Sequence, residues 1–114
     1  MFEGITGLLF ASLAAADPDC GALDAQGNTE GVRIPGHLAM REVIGKGRAH
    51  FYSAPSEACP TRDVFVVPRD SLIAYVEYRG FTAVMYLNPK TGVDVEGWVR
   101  TSRLRETGKG ISPD

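Results

Sequence analysis

Short stretches in which large apolar and polar residues alternate recur from about residue 37 onward, and they set the reading of the chain. Leu72, Ala74 and Val76 fall on one side of an extended run, with Ile73, Tyr75 and Glu77 on the other. That period of two is the mark of a half-buried strand. After a tight turn at Arg79-Gly80, Phe81, Ala83 and Met85 alternate in the same way with Thr82, Val84 and Tyr86. Upstream, LAMREVIG and RAHFYS read as two strands joined into a hairpin by Gly45-Lys46-Gly47. In the second of them Ala49 and Phe51 share one face, and Arg48, His50 and Tyr52 the other. Asp63 to Val67 is a short β-branched and aromatic strand stopped by Pro68, Asn88 to Gly92 is a strong turn, and Val95 to Arg100 is a further strand. No window of adequate length carries a helical period. The pattern predicts an all-β chain whose sheets are too small to stand unless they curl on themselves.

The first 36 residues follow other rules. Ile5 to Ala16 is a run of 12 uncharged, mostly apolar residues closing on Ala14-Ala15-Ala16. It is too short to span a bilayer and matches the apolar core of a secretory signal, with cleavage expected before Asp17. The leading Met1-Phe2-Glu3-Gly4 carries no Lys or Arg, which departs from the usual signal. Asp17 to Gly36 is rich in Asp, Gly, Asn and Pro and shows neither period, so it reads as coil.

Composition narrows the function. The chain has 114 residues, 44% hydrophobic and 23% charged, which is one ordinary domain. A formal net charge of −2 gives no global basic field for nucleic acid. Nine of the twelve basic residues are Arg, and Arg100, Arg103, Arg105 and Lys109 lie close together in sequence. They form either a solvated rim or a guanidinium patch for carboxylates or phosphates. Cys20 and Cys59 are the only cysteines. An even count in a short exported chain favours a disulfide, which would tether the N-terminal coil. They make a poor zinc site, and no Cys-x-x-Cys redox spacing is present.

Between Gly47 and Leu104 the segments GRAHFYSAPSEACP, VFVVPRDSLIAYVEYRGFTAVMYLNP and VEGWVRTSRL follow one another. In this order of short strands, a glycine-aromatic turn and a closing Gly-Trp-Val, the chain resembles bacterial SH3-like domains. It is most similar to small exported ones carrying an FYSAPS-x-x-C segment. The resemblance implies a five-stranded barrel over residues 37–108, preceded by an extra hairpin strand and followed by a tail at 109–114. It makes Ser53 to Thr61 the long first loop, and Thr101-Ser102-Arg103-Leu104 a one-turn helix before the last short strand. It also implies that Phe81 and Trp98 flank a binding groove, Phe81 standing where the family usually has Trp.

The residues offer binding more readily than catalysis. A nucleophilic site needs Ser, Cys or Thr beside a His with an orienting group, and neither His37 nor His50 has such a context. Gly45-Lys46-Gly47 lacks the following helix that would cradle a phosphate. The aromatic residues are too many for a small core, so some are expected on the rim as rigid contact surface. The candidate ligand-binding residues are Tyr52, Tyr78, Phe81, Trp98, Arg100 and Arg103. The function expected is a non-enzymatic periplasmic or secreted module. It would have no cofactor, no metal and no membrane span in the mature chain, and would dock on cell-wall peptide or an envelope protein. The alternative is an inhibitor of a lysozyme or cell-wall amidase that projects Ser53–Thr61 or Asn88–Asp94 into a cleft. A structural subunit of a secretion apparatus is a third possibility. The proline-rich ligand mode of eukaryotic SH3 domains does not carry over, because Glu57 is the one acid in that first loop.

Overall fold

The computed structural model describes residues 18–113, and the expected export leader at residues 1–16 lies outside them. The chain is mostly β. Among the described residues one helix, α1 (Cys20–Glu30), precedes eight strands: β1 (Val32–Arg33), β2 (Met40–Val43), β3 (Ala49–Tyr52), β4 (Pro60–Val66), β5 (Ser71–Tyr78), β6 (Phe81–Leu87), β7 (Asp94–Arg100) and β8 (Leu104–Glu106). A single 3₁₀ turn covers Gly36–Leu38 and another covers Thr101–Arg103. All strand pairs are antiparallel, in the order β4-β3-β7-β6-β5-β2-β8, with β1 added on β5. The sheet is a curled half-barrel, compatible with a small all-β barrel.

The alternation expected along β3 and β5 is present: Ala49 and Phe51 are buried, as are Leu72 and Ala74. These side chains join Val43, Val66, Val84 and Val99 in the main core. A bulge interrupts the β5–β6 register between Ala74 and Val76, so Ala74 pairs with Val84 but Val76 with Ala83. An extra residue in one strand flips the side chains beyond it. Val76 therefore leaves the face it was expected to share and joins a second cluster with Phe81, Ala83 and Trp98 on the other side of the sheet. Because both faces are covered, Phe81, Thr82, Ala83 and Val84 are all buried in succession.

Two expectations are corrected. First, the segment read as coil contains α1. Asp19 caps it, its Oδ1 accepting from the Ala22 N–H at 3.0 Å, and Cys20 is bonded to Cys59. Only Gly27 within the helix is buried. A helix without an apolar stripe leaves no 3.6-residue signal in the sequence. Secondly, β2 and β3 do not form a hairpin. β2 pairs with β5 and β8, whereas β3 pairs with β4 and β7. Their connection has positive φ at Gly45 and Gly47 and is held by Arg103. Its Nε donates to the Ile44 carbonyl at 2.7 Å, Nη1 to that of Arg48 at 3.0 Å and Nη2 to that of Gly47 at 2.7 Å. The tail at 109–114 makes backbone hydrogen bonds, the Met40 N–H donating to the Lys109 carbonyl at 3.0 Å and the Ile111 N–H to that of Gly36 at 2.9 Å.

The turns are as expected. Arg79 and Gly80 both have positive φ, the conformation of a two-residue hairpin turn that matches strand twist. Asn88 Oδ1 accepts from the Lys90 N–H at 2.9 Å and orders the β6–β7 connection. β4 begins earlier than expected, at Pro60, and its backbone turns left-handed at Asp63, φ 59°.

Candidate functional site

The second cluster gathers four of the six candidate residues. Strand pairing sets Trp98 opposite both Ala83 and Tyr52, Phe81 opposite Tyr78, and Arg100 opposite Phe81. The Tyr52 ring meets Phe81 edge-on, centroids 5.1 Å apart. The Arg100 guanidinium lies 5.5 Å from the Tyr52 centroid and 5.6 Å from that of Phe81, within cation–π range.

The structure does not expose this cluster as a groove. Trp98 is 1% exposed and Phe81 6%. The cover is α1. A Cβ on Gly27 would stand 2.8 Å from Trp98 Cη2, so glycine is what lets the helix backbone settle on the indole. The indole N–H donates to Asp24 Oδ1 at 2.7 Å, and the Tyr78 hydroxyl bonds Gln26 at 2.9 Å and Glu30 at 3.1 Å. Trp98 and Tyr78 are anchors for the helix, and Phe81 is core. The resemblance set Phe81 and Trp98 beside a groove; α1, which leaves no period in the sequence, lies over Trp98.

Tyr52 and Arg100 remain partly accessible at the edge of the cluster. Arg100 is ion-paired with Glu57 in the first loop, and that carboxylate, then Tyr52, hold its pKa above the ordinary arginine value. Arg103 is elsewhere in role: all three of its nitrogens donate to carbonyls of the β2–β3 connection. Arg105 is paired with Glu42, far from Arg100 in the strand order, so the run of basic residues in the sequence is not one patch.

The space available to a ligand lies alongside α1. A cleft of about 550 Å³ runs between the helix and the sheet, lined by Asp24, Asn28, Arg33, Tyr75, Glu96 and Trp98 among others. It offers two carboxylates, one guanidinium, an amide and a phenol above a floor formed in part by Val76 and Ala83. Of these, only Trp98 was a candidate from the sequence. Tyr75 and Glu96 are exposed strand positions whose alternation was legible, but Asp24 and Asn28 depend on the unseen helix. No group of three His, Cys, Asp or Glu side chains among the described residues is placed to hold a metal ion. His50 is exposed and meets Phe65 edge-on at 6.3 Å, in no triad-like arrangement. No helix among the described residues is long and apolar enough to cross a membrane. No family model, curated protein or solved structure matches this chain, and the chemistry of the cleft rests on its own residues.

Proposed function

We propose that this chain is an exported, non-enzymatic binding module of SH3-like type. It would dock on cell-wall peptide or on an envelope protein through the cleft beside α1 and the adjoining Tyr52–Arg100 edge. The observation that carries this reading is the cleft itself, in which Arg33 is set with Asp24 and Glu96 above an apolar floor. Such a mixture suits a peptide that bears both ammonium and carboxylate groups, each finding a charge of opposite sign. The Cys20–Cys59 bond fits an oxidising compartment.

The test is co-sedimentation of the oxidised protein with purified peptidoglycan sacculi, beside the exposed-site variants Glu96→Lys and Arg33→Glu. Retention of the native protein that weakens in both folded variants supports the cleft as the docking site. A native protein left in the supernatant overturns the wall-peptide reading.

One observation favours the inhibitor alternative by a particular loop. Ser53–Thr61 is tied down by the disulfide and by the buried Ala54, which unfits it for insertion into a partner's cleft. The β6–β7 connection instead presents Leu87 and Val93, 54% and 60% exposed, on a turn pre-ordered by Asn88. A rigid apolar tip of that kind suits an inhibitory contact. Loss of lysozyme or amidase inhibition in a Leu87→Asp, Val93→Asp double variant would support this second reading.

A further inference from the structure

One straight row of paired residues crosses the face of the sheet that carries the second cluster. Arg33 on β1 lies opposite Val76 on β5, Val76 opposite Ala83 on β6, and Ala83 opposite Trp98 on β7. Residues paired in this way point to the same side, so all four share the face on which α1 rests. Glu96 is two positions before Trp98 on β7 and joins that face by strand alternation. The helix follows the row. Asp24 accepts the Trp98 indole N–H at 2.7 Å, and Gly31, just past the helix end, lies against Val76. The cleft of about 550 Å³ therefore runs from β7 to β1, with the carboxylates of Asp24 and Glu96 at one end and Arg33 at the other.

These charges are available to a ligand. Neither Arg33 nor Glu96 is ion-paired among the described residues, and both are exposed. Asp24 uses Oδ1 for the indole and for Asn28 Nδ2 at 3.2 Å, which leaves Oδ2 for a further donor. Arg33 and the acids at β7 are three strand spacings apart, roughly 14 Å at about 4.8 Å per step. Side chains stand roughly upright on a strand, so the charges keep about that separation. A charge-assisted hydrogen bond of about 2.8 Å at each end leaves about 8 Å between the ligand's own charges.

We infer that the cleft reads the separation of an ammonium group from a carboxylate within one ligand. The ammonium sits at the β7 end with Asp24 and Glu96, and the carboxylate is taken by Arg33. A free α-amino acid does not fit, because its two charges are only about 3 Å apart. Two sources supply the longer span on an extended spacer. One is a residue with an ω-ammonium side chain, which places that group roughly 7 Å from the carboxylate; the other is a dipeptide, at about 3.5 Å per residue between its ends. Tyr75, 37% exposed beside Val76, offers its ring to the spacer. The inference rests on the docking site proposed above and adds the rule by which that site selects.

The experiment titrates the oxidised protein with Nα-acetyl-lysine and with alanyl-alanine, following the Trp98 indole N–H signal by NMR. Saturable shifts are expected, and the tighter of the two ligands identifies the source of the spacing. Free alanine, Nα-acetyl-norleucine without the ammonium, and Nα-acetyl-lysine amide without the carboxylate should each bind about tenfold more weakly. In Arg33→Gln, an exposed position, the advantage of Nα-acetyl-lysine over its amide should vanish. Free alanine binding as tightly as the longer ligands, or an amide penalty that survives Arg33→Gln, overturns the spacing rule. Sacculi that retain the protein while no small ligand shifts Trp98 overturn this inference and leave the docking site standing. Saturable binding of the small ligands without retention by sacculi overturns the wall-peptide reading alone and upholds the rule.

Discussion

The two faces of the sheet are held by different means. On one face Phe51, Leu72, Val84 and Val99 interlock with Val43 and Val66 from strands far apart in sequence, with Ile34, Val64, Tyr86, Val95 and Leu104 packed against them. On the other face, in the cluster of Trp98, Phe81, Ala83 and Val76, the indole is covered by α1, a helix that contributes a single buried residue, Gly27. The first core is built from apolar area, at roughly 25 cal/mol per Å² removed from water. The second is closed by a covalent bond and by polar anchors to Asp24, Gln26 and Glu30. Cooperative burial organises the barrel, and attachment organises the lid on it. Removing apolar atoms should therefore damage the first face most, and removing attachments the second.

The largest effect is expected from Phe51→Ala. Its ring fills the space opposite Gly97, where a Cβ would come 2.9 Å from Phe51 Cδ2. Truncation should cost close to the upper end of the roughly 3–5 kcal/mol seen for buried aromatics. Urea unfolding followed by far-UV circular dichroism checks it, and a shift of the midpoint too small to resolve would show that the two faces are not distinguished in this way.

Next comes the Cys20→Ser, Cys59→Ser double variant. The bond closes a 39-residue separation. In the chain-entropy account its loss costs about 3–4 kcal/mol. Here the comparison sharpens: the sheet signal should persist at low denaturant while α1 separates. Trp98 is the only tryptophan in the chain and lies directly under the helix, so a red-shifted fluorescence spectrum preceding loss of the sheet is the expected outcome. Simultaneous loss of both would make the helix part of one cooperative unit.

Gly27→Val is the smallest perturbation. A branched side chain there meets Trp98 and Pro55 while the disulfide forbids retreat, and overpacking of this kind costs about 2 kcal/mol. The damage should be confined to the Trp98 environment, visible in near-UV circular dichroism with β3–β7 amide protection retained. Loss of protection throughout the sheet would break the proposed division.

The same division explains what was legible beforehand. Strand alternation at Ala49–Phe51 and Leu72–Ala74 is dictated by the inner core, so it is written into the sequence and was read correctly. The turns at Arg79-Gly80 and Asn88 were readable from local chemistry, and the 3₁₀ turn at Thr101–Arg103 lies where the resemblance implied a one-turn helix. α1 was not, because its stability comes from Cys59, Trp98 and Tyr78, all distant in sequence, and its own residues have no apolar side. The bulge beside Val76 was hidden for a related reason: a one-residue slip in register depends on the partner strand. Trp98, Tyr78 and Phe81 fall in one cluster, and the helix that lies over Trp98 and bonds the Tyr78 hydroxyl was unseen. The cleft lined by Asp24, Arg33 and Glu96 is the product of that helix and could not be found without it.

One edge of the sheet has a bearing on how the molecule behaves in a crowded solution. A half-barrel leaves strands open at both ends, and β4 carries an exposed Phe65 that would favour cross-β growth with a neighbour. The strand starts with Pro60, which has no N–H to give, and its backbone reverses hand at Asp63, beside the cationic Arg62. A straight incoming strand finds neither a continuous row of donors nor a flat path along it. β8, the opposite edge, is only three residues long. The fold stays open at its seam without becoming a template for its own aggregation.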